Sequence, residues 1–290
     1  MTELLLSVLC SSSIFVIFKL FTRFKVDTFQ AIVFNYLTAF GIGIVLYGNE
    51  WKPQALEQTD WIPYAVGTGL LFISLFFVMA RSSQINGVGS TSVAVKMSMA
   101  VSLVLMILIY SESVGWMKIA GIALAFIGVY LVSSGGGSGS RSKGIWMLFL
   151  LFIGSGALDF ALNYVQNYHL KHLTASLFSA FGLGCAGVVG LVILIIQILA
   201  KKSKIQFKNL SAGLILGVPN YFSIYLLIKS YKTTGWNDST VLAITNVSVV
   251  LLTGLIGFVL FKESMKGHRI IGFISAIFAI LLLYYANLNA

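Results

Sequence analysis

Charge is scarce in this sequence: of 290 residues 10% are charged and 58% hydrophobic, and the mean hydropathy is +0.94. A soluble domain carries about 25% charged residues, so the composition excludes one and indicates an all-α integral membrane protein. Cysteine is nearly absent too. Cys10 and Cys185 lie inside apolar runs without CxxC spacing, which favours small buried hydrophobes over redox or metal chemistry. His169, His172 and His268 are expected in loops, and with no HxxxH or His/Cys cluster no metal site is expected. The net charge of +10 comes from basic residues beside apolar runs. Membrane orientation and anionic headgroups account for them better than nucleic acid does.

A helix needs about 20 apolar residues to cross a bilayer, and ten such runs are present: 3–21, 29–48, 61–80, 88–110, 116–133, 144–166, 174–199, 210–229, 238–261 and 268–286. Glu3 stands where a signal peptide would carry basic residues, so the first run is expected to be retained as a helix. Short loops between ten spans leave no room for an appended soluble enzyme. Residues 134–143, rich in Gly and Ser, read as a flexible linker between 1–133 and 144–290. They lack the GxxxxGK[ST] pattern of a phosphate-binding loop.

A linker at the midpoint invites a search for repeats. A shift of 151 residues superposes Glu112 on Glu263, Ser113 on Ser264, Gly121 on Gly272 and Ala125 on Ala276. A shift of 149 superposes Ser74 on Ser223, Ser90 on Ser239 and Thr91 on Thr240, and at 141 Ala39, Phe40, Gly41 and Gly43 fall on Ala180, Phe181, Gly182 and Gly184. Five spans per half is an odd number, so the second copy enters the membrane in the opposite sense. Such inverted repeats place a substrate site near the midplane.

A Glu ending one helix, a polar residue or two, and then a Gly-punctuated apolar helix, twice in a ten-span chain, resembles the drug/metabolite transporter superfamily in its EamA-like branch. The resemblance spans the whole chain. It implies a cavity lined by helices one, three, four, six, eight and nine, with five and ten peripheral. That family often carries a Pro about a dozen residues before the Glu of spans four and nine. Here those regions read KMSMAVSLV and TNVSVVLLT without one.

The strongest site candidates are charges inside spans. Asp159 lies in a stripe with Ser155, Asn163 and Gln166 on one face of span six, and Lys96 lies well inside span four. Intramembrane ionisable residues are costly and usually mark pathways. At about 1.5 Å per residue, Lys96 lies about 12 Å and Asp159 about 22 Å from the membrane face that carries the loop between the first and second spans, the loop-one face. One reading is an ion pair that fixes helix packing. The other is substrate contact, with Asp159 attracting an amine or a coupling proton or other cation and Lys96 attracting a carboxylate.

Asn35, Asn220 and Asn246 are secondary candidates. Asn220 follows Pro219, where a kink is expected, and Asn246 is close to the repeat counterpart of Lys96. Among aromatics at mid-depth, Phe76, Phe77, Phe160 and Tyr221 are placed to stack on a ligand. Glu112 and Glu263 are expected to cap the helices that follow them, and Gly213 and Gly217 to permit close packing.

Twelve Lys and Arg lie on the loop-one face against five on the other, which puts both termini outside by the positive-inside rule. The family resemblance implies the reverse. The expected protein is a carrier in the cell (inner or plasma) membrane, without a resident cofactor, for a small polar metabolite such as an amino acid. The alternatives are an organic-cation exporter with an aromatic, Asp-lined site and a channel. Its expected partners are the substrate, the bilayer and a second copy of the chain in a homodimer.

Overall fold

The computed structural model describes residues 1–50, 60–110, 115–133, 141–168, 175–202, 204–235, 238–263 and 267–288. Among them are eleven α-helices: α1 (Thr2–Arg23), α2 (Thr28–Tyr47), α3 (Ile62–Ile85), α4 (Val88–Met97), α5 (Met99–Tyr110), α6 (Trp116–Ser133), α7 (Arg141–Tyr168), α8 (Ala175–Leu199), α9 (Phe207–Thr233), α10 (Asp238–Phe261) and α11 (Gly267–Leu288). The described residues contain no strand. In lipid a backbone must satisfy its own polar groups, and a helix does so within one segment.

Within the described residues all ten apolar runs are helical, the fourth with a break at Ser98. Nine segments have the length and hydropathy to cross a membrane, α4 and α5 together counting as one, while α6 is shorter. The structure differs from the sequence reading at three places. The fourth run is divided at Ser98. The helix of the sixth begins at Arg141, so the last three linker positions are helical. His268 lies in the first turn of α11 rather than in a loop. Glu112, His169 and His172 are outside the described residues.

By contact the chain forms two compact units, each drawing on both sides of the Gly/Ser stretch. One comprises Met1–Lys19, Val78–Phe160 and Leu226–Ala290; the other comprises Leu20–Phe77 and Ala161–Tyr225. In the first, α6 and α11 run antiparallel, with Gly121 against Leu283, Gly128 against Ala276 and Val132 against Gly272. Beside them α4 and α10 are also antiparallel: Gly89 meets Gly254, and the Ser92 and Thr253 hydroxyls are 2.5 Å apart. Phe152, Val250, Phe273 and Ile280 belong to the apolar core of this unit.

In the second unit α2 and α8 are antiparallel, pairing Gly43 with Ala180, Phe40 with Gly184 and Val33 with Gly190. Two other pairs run parallel. Ala31 and Thr38 of α2 meet Gly213 and Gly217 of α9, while Gly69 and Ile73 of α3 meet Cys185 and Gly190 of α8. Lipid gives apolar surfaces no reason to prefer each other over acyl chains, so helix pairs depend on close van der Waals approach at small residues. Gly213 and Gly217 have this role, as their spacing indicates.

Candidate functional site

The division of the fourth span is local, one residue wide at Ser98. Ser98, at φ −55 and ψ −21, donates its hydroxyl to the Val95 carbonyl at 2.6 Å, a back-bond that commonly bends helices. Its own carbonyl accepts from both Val101 N at 2.9 Å and Ser102 N at 3.1 Å. The chain interrupts this helix at a serine, without a proline.

Gly156 of α7 sits against that interruption. A Cβ there would lie 2.6 Å from the Ser98 carbonyl oxygen and 2.5 Å from the Val101 Cβ, so only glycine lets the backbones approach this closely. Three residues on, nearly one helical turn, Asp159 comes to the same level. Its Oδ2 is 3.5 Å from Ser98 Oγ. Serine has one hydroxyl proton, and the shorter bond to Val95 takes it. Asp159 is thus only weakly held by its neighbour.

Lys96 precedes Ser98 by two residues and is half-buried. Lys96 and Asp159 act on each other electrostatically, yet among the described residues no ion pair joins them. The packing salt bridge is therefore not formed in this structure. Asp159 lies level with Ser98, two positions from Lys96, so the two charges are closer together than residue counting gives. From α10, the Asn246 amide nitrogen approaches Met99 Sδ at 3.9 Å. Thioether sulfur is a weak acceptor, so this buried amide is held loosely beside the interruption. Lys96, Asp159 and Asn246 thus converge around Ser98, with Ser155 one turn away on α7.

The other four candidates belong to the second unit. Asn163 is half-exposed, whereas Asn35 and Asn220 are buried, at 0% and 5% exposure. Among the described residues, neither the side-chain oxygen nor the side-chain nitrogen of Asn35, nor the side-chain nitrogen of Asn220, has a hydrogen-bond partner. Tyr221 is buried against Gly43 and stacks on Tyr225 at 6.3 Å. Phe76 faces Tyr36 and Phe77 faces Phe29, while in the first unit Phe160 faces Tyr110. The side chain of Gln166 is outside the described residues.

An unsatisfied buried polar group costs about 1–3 kcal/mol. Asn35→Leu, similar in size and free of that cost, is therefore expected to melt at or above the wild-type temperature. A melting temperature several degrees lower would show that Asn35 makes a stabilising bond.

Two residues of this region escaped the sequence reading. Ser98 left as its only signal a hydroxyl between two methionines. Glu263 was assigned to the wrong helix. Its carboxylate accepts from Val88 N at 2.7 Å and Gly89 N at 3.4 Å, capping α4 from 175 positions away rather than capping α11. The reason is the turn after α10: Lys262 takes φ 51 and Glu263 N donates to the Gly257 carbonyl at 2.9 Å, which turns the side chain back toward α4. Gly87, at φ +99 against the carboxylate, has no room for a Cβ. Loss of a capping side chain costs about 1 kcal/mol, so Glu263→Ala is expected to lower the unfolding free energy by about that amount. Unchanged thermal stability of the purified variant would contradict the cap.

Residues 3–134 match the EamA-like transporter family. An uncharacterized protein of Haemophilus influenzae is 29% identical over 296 residues, covering 99% of each chain. A protein crystal structure superposes with a TM-score of 0.56 at 12% identity, covering 96% of both chains; at that identity it supports the fold alone. Nine membrane-length apolar segments among the described residues mark a multi-pass membrane protein, and over residues 3–134 it is similar to the EamA-like transporter family.

Proposed function

We propose that the protein is a secondary-active carrier for a small polar metabolite bearing both an amine and a carboxylate, such as an amino acid. The carrying observation is the pair of unbonded opposite charges, Lys96 and Asp159, at the interruption of a membrane-length helix. Opposite charges left apart in a span incur desolvation without the attraction of a contact pair. A ligand presenting an ammonium to Asp159 and a carboxylate to Lys96 compensates both. A monovalent organic cation satisfies only Asp159 and is repelled by Lys96.

We further infer alternating access between two inverted halves. Antiparallel pairing of α4 with α10 and of α6 with α11 supports this, because in the repeat these are spans four and nine, five and ten. A two-fold axis in the membrane plane pairs equivalent helices in that sense. The parallel α2–α9 and α3–α8 contacts are likewise exchanged by the axis.

A thermal-stability screen of the purified protein against amino acids, nucleosides, sugars and organic cations tests the substrate class. A ligand at a hundred times its Kd adds about 2.7 kcal/mol to stability, and the expected stabilisers are zwitterionic amines. Stabilisation by organic cations alone would reject the proposal.

A further inference from the structure

The second unit carries a polar cavity unrelated to the Lys96–Asp159 pair. About 480 Å³ in volume, it is lined by Lys25, Val26, Asp27, Gln30, Lys202, Lys204, Gln206 and Asn209. It lies where the turn joining α1 to α2 meets the turn joining α8 to α9, at the ends of four membrane-length helices.

The cavity is built by a bonded scaffold. Gln30 and Asn209 are each 2% exposed. Asn209 Nδ2 donates to Gln30 Oε1 at 2.9 Å, Gln30 Nε2 donates to the Lys204 carbonyl at 3.0 Å, and Asp27 N donates to Asn209 Oδ1 at 3.0 Å. The two turns are thereby tied together. Each helix entering them ends on a lysine in the left-handed region, Lys25 at φ 50 and Lys201 at φ 54. Paired capping bonds hold these ends, from Val26 N to the Phe21 carbonyl and from Lys202 N to the Gln197 carbonyl, both 2.9 Å. This pair of bonds follows the Schellman pattern, in which glycine is usual at the left-handed position.

Charge and surroundings then narrow the occupant. Three exposed ammonium groups, Lys25, Lys202 and Lys204, border one cavity. The carboxylate there, Asp27, is committed to α2, since its Oδ1 accepts from Gln30 N at 3.0 Å as the helix cap. A net positive, bonded cavity fits an anion. Lysines near helix C-termini also answer the helix dipole, but that accounts for neither the cavity nor the scaffold. In the segments that line it, Phe24, Leu199, Ile205 and Phe207 are 60%, 77%, 58% and 81% exposed, apolar surface suited to acyl chains. Basic pockets between membrane helices take anionic lipid headgroups.

We propose that this cavity binds the phosphate of an anionic phospholipid, with Lys25, Lys202 and Lys204 as its counter-charges. Free phosphate offers the same group without acyl chains, so the source must be distinguished. The full-length protein in a neutral detergent is titrated with phosphatidylglycerol, phosphatidylcholine and inorganic phosphate, and its thermal unfolding is followed. Phosphatidylglycerol is expected to raise the melting temperature while the other two leave it unchanged. In Lys25→Gln/Lys202→Gln/Lys204→Gln the apparent affinity is expected to fall roughly a hundredfold, from about 1 kcal/mol per basic residue. The corresponding triple arginine variant, which keeps the charge, is expected to retain binding even if the glutamine variant proves too unstable to measure. An equal response to inorganic phosphate would overturn the lipid as occupant. A response to phosphatidylcholine equal to that for phosphatidylglycerol, or one unaltered in the glutamine variant, would overturn the site.

Discussion

Asp159→Asn is expected to reduce uptake into proteoliposomes at least thirtyfold while the protein stays folded, and Lys96→Met to do the same. Removing one charged partner from a desolvated contact costs about 2–5 kcal/mol, and 2 kcal/mol is about thirtyfold in affinity. The two variants should fail in different ways. If Asp159 holds the ammonium, the asparagine variant loses discrimination in favour of amine-bearing compounds. If Lys96 holds the carboxylate, the methionine variant loses it for acids and responds better to compounds in which the carboxylate is an ester. Melting curves of both variants guard against misfolding. Loss of the same compounds in both variants would mean that the two charges act as one structural element.

The second large effect is expected at Gly156. Leucine there would drive its Cβ into the Ser98 carbonyl and Val101, at 2.6 and 2.5 Å. Overpacking of this kind costs about 1–3 kcal/mol, because α7 must move away from the interruption in the fourth span. Asp159 lies three positions further along that helix and moves with it. Gly156→Leu is therefore expected to melt lower and to lose transport to an extent comparable with Asp159→Asn. Normal uptake and melting by this variant would show that the close approach is unnecessary.

The spans were readable from sequence because lipid imposes one solution on the backbone and a fixed length on each crossing. Even α6, shorter than the rest, was marked by its unbroken apolar run. The two intramembrane charges were visible for the same reason: a Lys or Asp stands out against hydrocarbon. What escaped was whatever depends on a distant partner. Nothing near Glu263 indicates that its carboxylate reaches the amides of Val88 and Gly89. The turn at Lys262 and the vacancy at Gly87 are set by the packing of α10 on α4. Ser98 was passed over because a serine in an apolar run is equally at home in an intact helix, and its neighbours Gly156 and Asp159 come from a distant span. Asn35, Asn220 and Asn246 carried the same polar signal and all three are buried; which neighbours each meets was not legible, since helix rotation is decided by contacts such as those at Gly213 and Gly217.

These same contacts make the account testable at one place. Counterflow of a radiolabelled zwitterionic amine that stabilises the purified protein, measured in proteoliposomes, examines binding, exchange and the role of Asp159 together. The predicted result is saturable exchange, accelerated by unlabelled substrate on the opposite side and abolished in Asp159→Asn. Exchange at the wild-type rate in Asp159→Asn, or non-saturating flux that ignores substrate on the other side, would contradict the account.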